Sequence, residues 1–139
     1  MEYKLLEQKD ALLMNEFVDD IHTQYNDAMI GAFLQEGNAL GFVAKEGEKI
    51  IGFAYGYILI KPDGRKDFYL HAIDIIEEYQ RKGYGTGLMQ YITDYVRSIG
   101  CRKLFLITNM SNAVACRCYE KAGGRAQCPD DVIYVFHVS

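Results

Sequence analysis

The feature that most constrains the fold is a central stretch of three strand patterns separated only by short turns. Ala39–Lys45, Lys49–Ile60 and Asp67–Ile76 are rich in apolar and aromatic residues. The turns between them are Glu46–Glu48, which contains a glycine, and Pro62-Asp63-Gly64. Because such short turns join only antiparallel neighbours, the sequence predicts a three-stranded antiparallel meander.

A strand and two helices are predicted before the meander. Tyr3–Leu6 is typical of a short strand, and Asp10 and Asp27 are predicted to cap the two helices that follow. The apolar residues of these helices recur at the spacing of one buried helical face. They are Leu13, Phe17, Val18 and Ile21 in the first helix, and Ile30, Phe33 and Leu34 in the second.

Two helices and further strands are predicted after the meander. One apolar helical stripe runs from Leu88 to Ile99 and ends at Gly100, because glycine commonly follows the last helical residue. The continuously apolar run Leu104–Ile107 is typical of a buried strand. The remaining predictions are a helix over Asn112–Ala122, a weak strand near Arg125–Cys128 and a last strand over Val132–Val138. This order of elements belongs to the α+β class.

Composition and charge exclude several classes of protein. Charged residues make up 24% of the chain and hydrophobic residues 50%, as in a folded globular domain. The net charge of −4 argues against a nucleic-acid partner. None of the four cysteines forms a CxxC pair, so we predict reduced thiols and no metal site. The apolar run Ile50–Ile60 is too short to span a bilayer, and the charged first residues do not resemble a secretory signal. We therefore expect one cytoplasmic domain over residues 1–139 that binds no membrane.

Three glycines stand at the start of the helix that follows the meander. Gly83, Gly85 and Gly87 alternate with other residues, directly after Arg81 and Lys82. A helix N-terminus presents unpaired N–H groups and a partial positive charge, which together form an anion site. Glycines allow the backbone to approach a phosphate closely, and the two cations add charge. The segment therefore suits a pyrophosphate group.

Two common phosphate-binding motifs do not fit this segment. No GK[ST] follows the glycines, as a Walker A loop requires. The pattern is GxGxG rather than GxGxxG, and the preceding strand belongs to a meander rather than a βαβ unit. On the glycines alone, a helix entry that binds no ligand remains an alternative.

Residues 80–85, Gln-Arg-Lys-Gly-Tyr-Gly, resemble the Q/R-x-x-G-x-G/A signature of the GNAT N-acetyltransferases, which bind acetyl-coenzyme A. Ile73-Asp74-Ile75 stands where that family has its Leu/Ile-x-Val strand ending. Residues 112–123 resemble the family's N-x-x-A-x-x-x-Y-E-K-L-G helix, with Ala122 in place of Leu, and Gly124 replaces the usual Phe. The resemblance implies a three-layer α/β/α fold with a mixed, mostly antiparallel central sheet flanked by about four helices.

The resemblance also implies which residues bind acetyl-coenzyme A. The backbone N–H groups of Arg81–Thr86 would hold the pyrophosphate, and the backbone of Ile73–Ile75 would pair with the pantetheine arm. A backbone N–H there would polarise the thioester carbonyl. Asn112 would contact the coenzyme arm. The implied binding residues are Ile73, Asp74, Ile75, Gln80, Arg81, Lys82, Gly83, Tyr84, Gly85, Thr86 and Asn112. Gly85 belongs to the signature, so we expect Gly85→Val to abolish coenzyme binding. Gly87 falls outside the signature, so we expect Gly87→Ala to spare coenzyme binding and to stabilise the helix.

Two side chains are predicted to act in catalysis. Tyr119 matches the family's tyrosine general acid, and a phenol suits the protonation of a leaving thiolate. The base is open. Some relatives carry a glutamate where this chain has Ile107. His71, on the central strand, has the titration range of a base, Asp74 is the next candidate, and a water chain is a third.

The acceptor is predicted only as a primary amine of a small molecule or a peptide. Residues 42–60 and 67–88 most resemble the small aminoglycoside 3-N-acetyltransferases. Those enzymes carry an acidic residue at the position of Ala72 and a carboxylate near the position of His137, and both acids are missing here. Aminoglycoside activity is therefore not expected. Asp19, Asp20 and Asp27 either attract a cationic acceptor or form a solvated face.

Two other functions remain open at this stage. One is an acyl-coenzyme A sensor without turnover, which the missing acidic base favours and Tyr119 opposes. The other is a nucleotide-binding regulatory domain. A homodimer is compatible with all three functions.

Overall fold

The computed structural model describes residues 1–14 and 25–139. Its strands are β1 (Glu2–Leu5), β2 (Ala39–Glu46), β3 (Lys49–Ile60), β4 (Lys66–Ile75) and β5 (Cys101–Phe105). Its α-helices are α1 (Asp27–Gln35), α2 (Tyr84–Ser98) and α3 (Ala113–Lys121), and two short 3₁₀ helices span Gln8–Leu13 and Glu77–Tyr79. Phe17, Val18, Asp19, Asp20 and Ile21, which belong to predicted features, lie outside the described residues.

The described strands form one sheet in the order β1-β2-β3-β4-β5. β1 through β4 pair antiparallel, and β5 joins β4 in parallel. The predicted meander is therefore confirmed as β2, β3 and β4. The mixed, mostly antiparallel sheet is confirmed as well.

Helices cover both faces of this sheet. Phe42 on β2 and Ala54 on β3 pack in one buried cluster with Leu88 and Ile92 of α2. The next residues along these strands, Val43 and Phe53, pack in a second cluster with Ile30 of α1. Since successive strand residues point to opposite faces, the two clusters lie on opposite sides of the sheet. The three-layer α/β/α arrangement is confirmed.

Both helix caps predicted before the meander are wrong by a few residues. Asn26, not Asp27, caps α1, and its side chain accepts a hydrogen bond from the Met29 N–H at 2.8 Å. Asp10 lies inside the first 3₁₀ helix, where it is buried and accepts a hydrogen bond from the Glu7 N–H at 2.9 Å. Lys4 pairs with the same carboxylate at 3.1 Å. Asp10 thus ties β1 to the first 3₁₀ helix, where it is the third helical residue of a capping box whose N-cap residue is Glu7.

The predicted strands after α2 need correction. β5 begins three residues before the predicted start at Leu104, and it is partly exposed because it pairs only with β4 among the described strands. The segments Arg125–Cys128 and Val132–Val138 form no strand. Apolar β-forming residues show that a segment suits a strand, but a strand forms only where another edge accepts its hydrogen bonds.

Candidate active site

β4 separates from β5 halfway along its length, and this separation opens the candidate site. The antiparallel pairing of β4 with β3 continues to Ile75. Its parallel pairing with β5 ends at Tyr69, opposite Phe105. Residues 72–75 therefore expose a backbone edge that pairs with no other described strand. Such an edge accepts an added extended chain, and the backbone predicted to pair with the coenzyme arm, Ile73–Ile75, lies on it.

A β-bulge at His71 interrupts the regular pairing of β4 with β3. Gly56 on β3 lies opposite Leu70, but its neighbour Tyr55 lies opposite Ala72, so His71 is an extra residue in the ladder. Leu70 and Ile73 consequently both pack against the α2-side cluster, although they are three residues apart. Bulges bend strands and are common beside active sites. This bulge redirects His71 relative to a regular strand.

The N-terminus of α2 presents backbone N–H donors that no described residue satisfies. Gly83 is the N-cap residue and provides no side-chain hydrogen bond. The Gly87 N–H makes the first bond of the helix, to the Gly83 carbonyl oxygen at 3.0 Å. The N–H groups of Arg81–Thr86 have no acceptor in the described part of the chain. A row of unpaired N–H groups at a helix N-terminus is a binding site for an anion.

Two left-handed residues shape the loop before α2. Arg81 has φ of 63° and Gly83 has φ of 90°. Turns of this kind direct successive N–H groups to one side and form an anion-binding nest. A left-handed arginine is uncommon and strained, which is typical of functional loops. Lys82 adds positive charge, and its Nζ lies 5.6 Å from the Tyr79 ring centroid.

Gln80 joins this loop to the end of β4. Its side-chain Nε2 donates a hydrogen bond to the Ile75 carbonyl oxygen at 2.7 Å. The loop before α2 is thereby held against the end of β4, beyond the point where β4 and β5 pair. The resemblance predicted Gln80 as a binding residue, and the structure adds this positioning contact.

Gly83 and Gly85 are needed for different reasons. A Cβ at Gly83 would meet open space, so that position requires glycine for its positive φ. A Cβ at Gly85 would lie 3.2 Å from Cys118 Sγ and 3.7 Å from Ile75 Cγ1. Gly85 therefore faces the space where α2, α3 and the end of β4 meet.

The expectation that Gly87→Ala stabilises the helix is wrong. A Cβ at Gly87 would contact the Tyr3 hydroxyl and lie 2.7 Å from Tyr3 Cζ. Tyr3 is held in place, since its hydroxyl donates a hydrogen bond to the Tyr84 carbonyl oxygen at 3.4 Å and its ring stacks on Tyr91. Gly87 thus provides close packing of α2 against β1.

We expect Gly87→Ala to lower the free energy of unfolding by about 1 kcal/mol, because an overpacking cost of about 1–3 kcal/mol exceeds the helix-propensity gain of about 1 kcal/mol. Coenzyme affinity should remain unchanged. Urea denaturation measures the first quantity and calorimetric titration the second. Gly37→Ala is the matched control, because a Cβ at Gly37 meets nothing within 4 Å. A more stable Gly87→Ala variant would contradict the packing role.

α3 packs against the first turn of α2. Asn112 is the N-cap residue of α3, as predicted, and its Oδ1 accepts a hydrogen bond from the Ala115 N–H at 3.2 Å. Its amide N–H groups have no acceptor among the residues described. Cys118 Sγ lies 3.8 Å from Thr86 Oγ1, which brings α3 against the first turn of α2.

Tyr119 is half-buried on α3 and packs against the α2-side cluster. Burial, with smaller contributions from Cys118 and Cys116, raises the pKa of the Tyr119 phenol above its ordinary value. Its hydroxyl has no hydrogen-bond partner in residues 1–14 and 25–139. A phenol with a raised pKa keeps its proton at neutral pH, which is the protonation state that the predicted role of proton donor requires.

His71 lies in a group of aromatic rings on the α1 side of the sheet. Its ring centroid lies 5.3 Å from that of Tyr55 and 5.5 Å from that of Tyr69. Phe105 of β5 stacks on Tyr69 at 5.2 Å, so the rings continue onto β5 at the last residue pair before the two strands separate. His71 is exposed and reaches solvent. The structure thus places His71 and Tyr119 in separate packing groups, and it shows no contact between the two side chains.

Sequence reasoning missed one position and two contacts that shape the site. Gly56 is one, because a Cβ there would lie 2.9 Å from Leu70 Cα, beside the bulge. The others are Gln80 in its bond to β4 and Cys118 in its contact with α2. A glycine inside a long apolar strand is itself a signal for a bulge and could have located the first. The other two contacts have no signal in the sequence.

Comparison with known proteins agrees with this arrangement. Residues 10–124 match the model of the Acetyltransferase (GNAT) family. The chain belongs to the GNAT acetyltransferase family. The resemblance stated from residues 73–124 is thereby confirmed, and the chain is an acetyltransferase. No described helix of this acetyltransferase is both long enough and apolar enough to cross a membrane.

Individual relatives extend the comparison. The N-alpha-acetyltransferase 30 of Schizosaccharomyces pombe is 25% identical over 108 residues, which cover 75% of this chain and 69% of that protein. An aminoglycoside acetyltransferase from an uncultured soil metagenomic sample, solved with sisomicin, superposes with a TM-score of 0.82 at 17% identity, over 99% of this chain and 95% of that one. The ribosomal-protein-alanine N-acetyltransferase of Brucella melitensis biovar Abortus superposes with a TM-score of 0.76 at 21% identity, over 99% of each chain. The two superpositions show a shared fold.

Proposed function

We propose that this acetyltransferase transfers the acetyl group of acetyl-coenzyme A to a primary amine of a small molecule or a peptide. The observation that carries the proposal is the row of N–H groups at Arg81–Thr86 that have no acceptor among the described residues, held beside the part of β4 that β5 does not pair with. One feature suits a pyrophosphate and the other an extended amide-containing arm, and acetyl-coenzyme A contains both groups.

The residues around the opening fit the coenzyme. Arg81 and Lys82 supply positive charge where the N–H groups converge, and α2 adds the positive end of its dipole. The edge at Ile73–Ile75 offers backbone donors and acceptors to the amides of the pantetheine arm. Asn112 has amide N–H groups to donate from the opposite side. Acetyl-coenzyme A supplies a thioester whose carbonyl carbon is attacked by a neutral amine.

Two proton transfers are assigned to this chain. Attack by the amine nitrogen forms the new C–N bond, the C–S bond breaks, and the sulfur leaves as a thiolate. Tyr119 donates its phenolic proton to that thiolate. His71, or water in contact with it, takes the proton lost by the amine. A backbone N–H of Ile73–Ile75 would stabilise the developing oxyanion.

The surroundings of His71 favour an acceptor bound over aromatic faces. Tyr55, Tyr69 and Phe105 lie around the histidine, and aromatic faces attract an ammonium group before it loses its proton. The relatives act on different amines by name, since one is an aminoglycoside acetyltransferase and another a ribosomal-protein-alanine N-acetyltransferase. A test of activity therefore has to include both small-molecule amines and peptide amines.

The decisive experiment measures free thiol released from acetyl-coenzyme A in the presence of a panel of amines. The panel includes peptides with free N-termini, polyamines and aminoglycosides, each compared with its N-acetylated form. Amine-dependent thiol release supports the proposal. Coenzyme binding without thiol release under any amine would identify a sensor instead. Thermal stabilisation by ATP or NAD, but not by coenzyme A, would favour the nucleotide-binding alternative.

We expect His71→Ala to lower kcat/KM by roughly 100-fold near neutral pH, since general bases contribute about 10²–10⁴ to rate. Removal of the base should also abolish the acidic limb of the pH–rate profile. Affinity for acetyl-coenzyme A should not change, because His71 lies apart from the α2 N-terminus. An unchanged profile would exclude His71 and leave a water chain or Asp74 as the route for the proton.

A further inference from the structure

A continuous row of aromatic rings crosses the α1 side of the sheet and reaches the point where β4 and β5 separate. Each ring contacts the next, with centroids between 5.2 and 6.1 Å apart. All of these side chains are half-buried or exposed, so the rings form a surface that a ligand can reach. This aromatic row consists, in spatial order, of Tyr57, Phe33, Tyr55, His71, Tyr69 and Phe105.

The alternation of side chains along β3 and β4 produces the row. Ala54 and Phe68 pack in the cluster on the α2 side of the sheet. Their neighbours Tyr55 and Tyr69 therefore point to the α1 side. The N-terminus of α2, which suits the pyrophosphate, lies on the other side. An acceptor on the aromatic row would thus approach the thioester from the side of the sheet opposite the coenzyme's phosphates.

The chemistry of the aromatic row suits a ligand with one cation and one apolar ring. None of its six side chains carries a negative charge. Burial, with smaller contributions from Tyr57, Tyr25 and Tyr69, raises the pKa of Tyr55, so this phenol stays neutral. Ring faces attract an ammonium group and form stacked or edge-on contacts with another ring. A polyamine or an aminoglycoside would bring further ammonium groups, for which the row provides no carboxylate.

The spacing along the row matches an amine that is joined to a ring by two carbons. The ring centroids of Tyr55 and His71 are 5.3 Å apart. With carbon bond lengths of about 1.5 Å, a two-carbon link places an amine roughly 5 Å from the centre of its own ring. A ligand ring stacked on Tyr55 therefore brings its amine to His71. A peptide would instead lay backbone amides across ring faces, where they would lack hydrogen-bond partners.

We propose that the acceptor is an arylalkylamine, whose ring binds against Phe33, Tyr55 and Tyr57 and whose amine lies at His71. This inference rests on the proposed function, because it names the substrate class of that reaction. The amine nitrogen bonds to the acetyl carbon, the C–S bond breaks, and the thiolate takes the proton of Tyr119. The proton lost by the amine passes to His71 or to water beside it. Phe33 and Tyr57 then determine specificity without touching the reacting atoms.

Thiol release from acetyl-coenzyme A with matched amines tests this substrate class. 2-Phenylethylamine is compared with ethylamine, which is the same molecule without the ring. Spermidine, an aminoglycoside and a tripeptide with a free N-terminus complete the set. We expect kcat/KM for 2-phenylethylamine to exceed that for ethylamine by at least about 100-fold, since even one methylene in an apolar pocket changes kcat/KM by about 10–200-fold. It should also exceed the values for the other three amines.

Two variants show whether the aromatic row provides this preference. Phe33→Leu and Tyr57→Leu keep an apolar side chain but remove a ring. Each should lower kcat/KM for 2-phenylethylamine by about tenfold, the effect of one lost aromatic contact, and leave the value for ethylamine unchanged. Tyr95→Leu is the control, because Tyr95 contacts Phe42 in the cluster on the opposite side of the sheet. Equal losses for both amines would mean that the rings only stabilise the fold, and would overturn the proposal.

The outcomes separate this inference from the proposed function. Thiol release that is fastest with spermidine, the aminoglycoside or the tripeptide would overturn the arylalkylamine assignment and leave acetyl transfer to an amine intact. An equal rate with 2-phenylethylamine and ethylamine would also overturn the assignment alone. No thiol release with any amine would overturn the proposed function, and the arylalkylamine assignment with it.

Discussion

Gly85→Val should weaken the binding of acetyl-coenzyme A by at least about 100-fold, a loss of about 2.7 kcal/mol in binding free energy. A valine there would bring its Cβ within 3.2 Å of Cys118 Sγ and its methyl groups closer still. The first turn of α2 must then move away from α3 and from Ile75. Its free N–H groups would no longer face the position required by the pyrophosphate, while the added methyl groups would occupy the space beside β4.

Calorimetric titration with acetyl-coenzyme A measures this effect, and a thermal melt shows that the variant is folded. Gly37→Val is the control, because a Cβ at Gly37 meets nothing within 4 Å. Gly83→Ala is a second variant that adds no contact and only strains the backbone at φ of 90°, so it should weaken binding less severely. A folded Gly85→Val chain that binds the coenzyme as well as the unmodified chain would show that the α2 N-terminus is not the pyrophosphate site.

Tyr119→Phe should lower kcat by about 100-fold or more while leaving coenzyme affinity unchanged, because general acids contribute about 10²–10⁴ to rate. The substitution removes a hydroxyl with no hydrogen-bond partner among the described residues, so little stability should be lost. Tyr119 can act as a general acid only while its phenol is protonated. Since burial raises its pKa, the activity that depends on it should persist through neutral pH and fall only as the pH passes above 10.

Pre-steady-state measurement of thiol release separates this chemical step from product release. Tyr95→Phe is the matched control, since Tyr95 is another half-buried tyrosine, on α2, and packs edge-on to Phe42. The alkaline limb of the rate profile should disappear in Tyr119→Phe and remain in Tyr95→Phe. Equal loss in both variants would mean that Tyr119 acts through packing rather than through its proton.

These experiments depend on residues that could be identified from the sequence because the structure around them is formed by their neighbours in the sequence. The N–H groups at residues 81–86 belong to one turn, so the glycine spacing and the helical stripe after it predicted them together. Asn112 caps a helix through a bond to the Ala115 N–H, three residues away. Gly100 and Gly123 follow the ends of helices and adopt left-handed conformations, which depend only on the local backbone. The meander was equally local, because short turns leave adjacent strands a single way to pair.

Contacts between residues that are far apart in the sequence were decided by the tertiary structure alone. Gly87 stabilises the fold as glycine because Tyr3, 84 residues earlier, occupies the space of its side chain. His71 forms a β-bulge in β4 because the register against β3 shifts at that residue. β4 separates from β5 where the pairing of the two strands ends. Asp10 is not the N-cap residue of a helix but the third residue of a capping box, and it is also a buried ion-pair partner of Lys4. The apolar pattern of Val132–Val138 predicted a strand that the structure does not contain. A strand requires hydrogen bonds to a neighbouring edge, and no sequence pattern states which edge is available.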